Sequence, residues 1–424
     1  MGKIQKALQE QISRLPRLAL QPILERKLKE QSIDLPKDAF EVLLDRLLSG
    51  KDEDFTWSDG DIEKSDELRD LKLVFDDADE KEIENFATRM QSVIPEVVQS
   101  TVAMGGAHLF KAMKKSWEID GAIERFQMDQ FQERLEERWG EGLQLLRMLL
   151  TMVRGIGHDT AKRYHRSKSR NYINRRFVLV RLHVRACQVA DEIITLMENG
   201  FADGAMARWR TLHEIGVVAT LIEDGDEELA RRFIDHDVVE VKKQADDWDD
   251  KQVPLGYAPI GPRERKNIEE AYAGVIRRHG QSFRHDYGWA ADHLKDKKPD
   301  FKKLQAAADQ SEMNTYYKLA NFNVHAGARG MFFRLTDMGA NIPIAGRSNA
   351  GLVEPGQNTA YTLVRITGAL LGRLRDLDSL MEMSALVALR DAIPRTLNRA
   401  DKKLRRDEAE VHLKRSHKRA KKKK

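Results

Sequence analysis

Ala205-Met206-Ala207-Arg208-Trp209-Arg210-Thr211-Leu212-His213-Glu214-Ile215-Gly216-Val217-Val218-Ala219-Thr220-Leu221-Ile222 is the stretch on which the fold turns. Wound as a helix it shows apolar side chains on nearly every side, and a helix that is apolar all round is a buried one. It therefore needs a wrapping of other elements. Asp203 is placed to cap its start and Asp224-Gly225 to stop it. A preceding helix over about 176–198 ends at Asn199-Gly200, a C-terminal stop of the same kind.

Moving outward, the helical period persists. Leu135, Trp139, Leu143, Leu146 and Leu150 recur at spacings of three and four, as one apolar face requires. Gly155-Ile156-Gly157-His158-Asp159 reads as a turn after that run. Towards the C-terminus, helices are expected near 226–250, 263–279, 311–335 and 358–392. A Pro/Gly-marked loop separates the first two, a loop runs through Trp289 and Pro299, a Gly/Pro/Asn-rich loop covers 338–357, and Pro394 breaks the last. No β-alternation stands out. The expectation is an all-α multi-helix bundle with its core at 159–395. Helical segments at 1–50 and 86–158 flank an acidic linker at 51–85, and a basic tail at 396–424, expected to be disordered, closes the chain.

Charge is unevenly spread. The chain of 424 residues has a formal net charge of +4, yet residues 401–424 carry twelve Lys or Arg against Asp401, Asp407, Glu408 and Glu410, leaving −4 for the other 400. Residues 51–85 hold fifteen acids and five bases and read as a solvated segment. The single cysteine, Cys187, excludes an internal disulfide and a thiolate zinc site; its apolar neighbours indicate an inert buried thiol. No apolar run reaches the ~18–20 residues that cross a bilayer, and the N-terminus lacks a signal-peptide pattern, so no membrane partner and a cytoplasmic location are expected. Neither a metal nor a cofactor is expected, since no zinc, EF-hand, dinucleotide or nucleophile-elbow motif is present. Asp235-His236-Asp237 reads as surface, because successive helical residues diverge by ~100° and cannot easily share an ion.

Against this background the ionisable residues of the apolar helix stand out. Burying a charge without a partner costs on the order of several kcal/mol. Arg210 and Glu214 are i,i+4 neighbours and can pair; Arg208 and His213 are the other two. A second polar set follows an i+4 ladder through Tyr317, Asn321, His325 and Arg329, on the expected helix 311–335. Arg210, Glu214, Tyr317, Asn321 and His325 are thus the first candidates for a catalytic or binding site, with Arg208 and His213 behind them.

Arg210-Thr211-Leu212-His213-Glu214 resembles the Arg-x-x-x-Glu helix of a bacterial helical domain family of unknown function, and Tyr317, Asn321 and His325 resemble its Tyr-x-x-x-Ser-x-x-x-His helix, with Asn321 in the serine place. Tyr287-Gly288-Trp289 resembles the tryptophan segment between them. The resemblance covers roughly 170–380 and implies a fold and a site position, not an activity. The pair Arg208 and His213 also fits the Arg–His spacing of the HEPN ribonucleases, which would imply metal-free cleavage of RNA, arginine steadying phosphate charge and histidine moving protons. That spacing recurs from Arg176 to His183, Arg231 to His236, Arg278 to His285 and Arg405 and Arg406 to His412, as chance supplies, so by itself it decides little.

Residues 160–185 hold nine Lys or Arg and no acid, interleaved with Tyr164, Tyr172 and Phe177. Arg163, Arg166, Lys168, Arg170, Arg175 and Arg176 are the candidate phosphate contacts there, and the basic tail is a second, nonspecific one. Homo-oligomerisation is a further partner option. Two functions follow: a nucleic-acid-acting or defence-type protein, a ribonuclease among them, that works through the buried polar cluster; or a noncatalytic helical binding or scaffold module in which Arg210 and Glu214 form a structural clamp.

Overall fold

The computed structural model describes residues 3–49, 73–167, 171–335, 344–372 and 376–422, and every regular element among them is helical. The all-α expectation is met. None of these helices is long and apolar enough to cross a membrane. The chain forms two compact units, Met1–Ile123 and Glu124–Lys424.

The first unit contains α1 (Lys3–Ile12), α2 (Leu15–Glu30), α3 (Lys37–Leu48) and the opening of α4 (Asp77–Arg166). Leu24, Leu28, Leu43 and Leu44 form its small core. The buried Asp79 carboxylate is held 2.7 Å from Lys27 and 2.6 Å from Arg26. Those cations, Lys27 first, hold its pKa below the usual carboxylate range, at about 2. Most of the expected acidic linker, 51–72, lies outside the described residues; its end, from Asp77, belongs to α4.

The second unit is built round α6 (Ala202–Asp224). It packs on α5 (Ile173–Glu198), α13 (Val353–Leu371), α11 (Asn314–Val324) and α10 (Phe301–Ala307). Helices α7 (Glu227–Asp235), α8 (Asp237–Leu255) and α9 (Pro262–His279) follow α6, α12 (Ala328–Phe332) follows α11, and α14 (Leu377–Lys422) closes the chain. Trp139, Leu143, Leu146 and Leu150 of α4, Ile193 and Met197 of α5, and Trp209, Leu212 and Ile222 of α6 meet in one core. The expected wrapping of the apolar helix is therefore supplied from both sides in sequence.

Three local expectations change. Gly155–Asp159 is not a turn: α4 runs through it to Arg166. A Cβ at Gly157 would collide with the His183 ring, so the glycine serves close helix packing rather than chain reversal. The helix expected over 311–335 stops at Val324, because His325 turns extended at φ −108° and ψ 139°. Pro394 does not end its helix; α14 passes through it and on into the basic segment expected as a tail. Helix-favouring Lys, Arg, Ala and Glu carry the backbone there, with Arg405 paired to Asp401 at 2.6 Å.

Trp139 is fully buried and its indole N–H donates to the Asn349 carbonyl at 3.0 Å. Trp139→Ala is expected to cost the second unit about 3–5 kcal/mol. Urea unfolding should show a lowered midpoint with an unchanged m-value.

Candidate functional site

Helix α6 places Glu214 on its less buried flank, about one third exposed. Its Oε1 is held twice. The Tyr317 hydroxyl on α11 donates to it at 2.7 Å. Arg210 Nε lies 3.2 Å away, one turn back, but its N–H is not aligned on the oxygen, so that contact is an ion pair rather than a hydrogen bond. Arg210 also stacks over the Tyr317 ring at 4.9 Å. Burial, then the bond to Glu214, pushes the Tyr317 hydroxyl up to about 12, so it remains a donor at neutral pH. Burial works against the Arg210 charge, but the Tyr317 oxygen and Glu214 outweigh it and the net shift is upward. Glu214 Oε2 has no hydrogen-bond partner among the described residues.

Glu214 opens onto a cavity of about 470 Å³, with Tyr287, Phe301, Phe233 and Trp289 as aromatic lining. Tyr317 stacks on Phe301 with centroids 4.8 Å apart, so the clamp and the wall share a face. Further lining groups are Arg185 and Thr211, and His236, Asp237, Glu240 and Asp286. Burial first, and then the negative charge of Glu214, raise the Tyr287 hydroxyl. The Tyr287-Gly288-Trp289 segment is fastened from behind: buried Arg232 donates through Nε to the Trp289 carbonyl at 3.0 Å and through NH2 to the Gly288 carbonyl at 3.2 Å. Only glycine fits at 288, since a Cβ would strike the Phe283 carbonyl.

His236 corrects the surface reading of 235–237. It is 5% exposed, its Nε2 donates to the His285 carbonyl at 2.9 Å, and burial lowers its basicity. The N-terminus of α8 and the loop after α9 bring it to the Glu214 cavity, a juxtaposition that no spacing in the chain announces.

The other expected site residues divide. Arg208 is turned to α5, where its Nε pairs with Glu192. His213 is wholly buried, stacked on Trp209 at 5.2 Å. The Gln305 amide nitrogen donates to the Gln310 carbonyl at 3.0 Å and to His213 Nε2 at 3.1 Å. His213 is thereby a neutral acceptor, and burial lowers it to about 4. Arg208 and His213 therefore do not share a cleft. Asn321 stays on α11 with its Oδ1 buried and without a partner among the described residues. His325, beyond the end of α11, is exposed, and no hydrogen bond or ion pair among the described residues joins its ring to Glu214 or Arg210. The ladder thus breaks after Asn321, and Tyr317 alone of its members joins the cluster.

The basic candidates divide as well. Arg175 is 3% exposed and its NH1 donates to the carbonyls of Glu223 and Gly225 at 2.8 and 3.0 Å, closing the C-terminus of α6. Arg163 reaches Asp376 and Ser379 at 3.3 and 3.2 Å. Arg166 is exposed and Arg176 half-buried, while Lys168 and Arg170 lie outside the described residues. Cys187 is buried beside His183, and burial raises its thiol to about 11. Among the described residues no three His, Cys, Asp or Glu side chains gather as metal ligands.

Residues 176–341 match the model of a family of unknown function, DUF5677. The matched stretch runs from the first turn of α5 past α12 and contains Arg210, Glu214, His236, Tyr287, Trp289 and Tyr317. A helical domain of unknown function is what the sequence resemblance implied, and at that level the match agrees. No curated protein and no solved structure matches the chain.

Burial also lowers His183 to about 4. Both histidines bind protons less readily folded than unfolded, where ~6.5 is usual. Their contribution is present above about pH 6.5 and is lost as the pH falls towards 4, by about 3 kcal/mol each at 1.36 kcal/mol per unit. Histidine ring NMR should show both titrating near 4 and stability falling across that window; midpoints near 6.5 would contradict the buried neutral state.

Proposed function

We propose that the cavity beside Glu214 is the working site of the protein, and that it takes a flat organic group bearing N–H donors, uncharged or cationic, of which a nucleobase is one. The observation that carries this reading is the asymmetry of Glu214. One oxygen is held by Tyr317 and approached by Arg210, and the other has no hydrogen-bond partner among the described residues, in a carboxylate that lines an aromatic-walled cavity. A carboxylate so oriented can accept a ligand proton or a ligand hydrogen bond without first paying to be positioned.

The lining also selects charge. Four carboxylates face Arg185 and a histidine whose basicity burial reduces, and Lys243 offsets only part of that excess through Asp286 at 2.6 Å and Glu240 at 3.3 Å. A phosphodiester would be repelled here, and Arg208 and His213, held by Glu192 and Gln305, do not line the cavity, so metal-free RNA cleavage by that pair is not the chemistry the geometry favours. A nucleic-acid-acting role survives in another form, in which a base rather than a phosphate enters the cavity.

A second reading has support of its own. Glu214 Oε1 already holds two partners from two helices, which is what a noncatalytic structural clamp would need. The two readings part on Glu214→Gln, which keeps the shape and the Tyr317 bond but removes the charge. Adenosine, guanosine, cytidine and the planar cation benzamidine should be titrated calorimetrically into the full chain. The site reading expects at least one to bind, with affinity falling about tenfold or more in Glu214→Gln, as losing a charge-assisted hydrogen bond entails, and with Tm little changed. If none binds, or binding is indifferent to Glu214→Gln while Tm drops by several degrees, the clamp reading replaces it.

A further inference from the structure

A groove of about 800 Å³ runs between the end of α4 and the outer face of α5. Every ionisable side chain with an acid or base function that lines it, tyrosine aside, is basic: His165, Arg176, Arg181 and Arg185. Its floor is apolar and open to solvent, with Ile173 51%, Phe177 46% and Val184 63% exposed. Two guanidinium groups lie over aromatic rings in it, Arg181 over Phe177 at 4.2 Å and Arg176 over Tyr164 at 5.0 Å. Among the described residues no carboxylate pairs with Arg176, Arg181 or Arg185, in contrast to Arg208, Arg147 and Arg163, which are all engaged.

From this combination we propose that the groove binds single-stranded nucleic acid. Charge excess alone would suit any polyanion. The partner is narrowed by the rings: bases released from a duplex have π-faces to lay on Phe177 and the apolar floor, while the phosphates alternate with them along the strand and meet the arginines. Duplex bases are already stacked and cannot use that floor. An acidic peptide offers carboxylates but no flat surfaces at the same repeat. The groove differs from the set expected in the sequence. Arg175 and Arg163 are spent on the fold, and Arg181 and Arg185, about two and three turns past Arg175 along α5, take their place.

Arg185 lines this groove and also the Glu214 cavity, so the two adjoin with opposite electrostatic character. A strand lying along α5 passes the mouth of the cavity with its phosphates on the basic side. The proposal stands independently of what the cavity holds.

The test is fluorescence anisotropy of the full chain with labelled oligouridylate and oligothymidylate over a range of salt concentrations. The Lys/Arg-rich C-terminal segment would attract any polyanion, so differences between variants are the measure. Arg181→Glu should weaken binding by about tenfold and reduce the slope of log affinity against log salt by about 0.7, the value for one phosphate contact on a single strand. Phe177→Ala should weaken binding by about tenfold while leaving that slope unchanged, because stacking releases no counterions. Both residues are exposed, and unaltered circular dichroism will show that the variants fold. The proposal is overturned if Phe177→Ala binds normally, if a duplex binds as tightly with the same dependence on Phe177, or if polyglutamate does so.

Discussion

The enclosure of α6 is the constraint on which the second unit depends. An enclosed helix with polar side chains obliges its neighbours to answer each one, since an unmet buried donor or charge costs more than a met one returns. Arg208 is answered by Glu192 of α5, Trp209 by Thr362 of α13 at 3.1 Å, His213 by Gln305 of α10, and Glu214 by Tyr317 of α11. These four residues of one helix thus meet four different partner helices. Apolar burial supplies the drive to collapse, while these pairs specify which faces meet.

Glu214 differs from the rest because its answer is incomplete. Trp209 and His213 are turned into the protein, and Arg208, half-buried, is taken up by Glu192. Glu214 sits at the border of the core and lines a cavity, with one oxygen held by Tyr317 and approached by Arg210. Partial burial of a carboxylate against Tyr317 and Arg210 keeps it oriented, and the aromatic side of the cavity lowers the local dielectric, which strengthens any hydrogen bond made there. Along α5 the sign of the field then reverses, from the carboxylates round the cavity to the arginines of the groove.

How much of this was legible varies residue by residue. The burial of α6 follows from composition round a helix, a purely local property, and the i,i+4 pairing of Arg210 with Glu214 follows from helical geometry. The Tyr317–Asn321–His325 ladder assumed that the helix continues, and it fails where the backbone turns at His325, an event set by the chain beyond it. Gly157 gave a turn signal that was overridden, because the His183 ring needs the space a side chain would fill. Arg175 looked like part of a phosphate patch, and only the position of the α6 C-terminus reveals that its guanidinium is occupied. His236 and Tyr287 gave no signal as a pair: their proximity to Glu214 depends on how α7, α8 and the loop after α9 fold back.

By itself the sequence determined the helical class, the enclosed helix and the ionisable residues whose burial demanded partners, because each of these rests on periodicity and on the cost of hiding charge. Tertiary structure alone decided which charges are spent and which remain. Whether an arginine caps a helix, pairs with a carboxylate or faces a groove depends on where distant carbonyls and carboxylates arrive, and that is fixed by packing between helices. Glu214 shows both halves: the sequence marked it as a charge out of place, and the fold pairs one of its oxygens and leaves the other without a hydrogen-bond partner among the described residues.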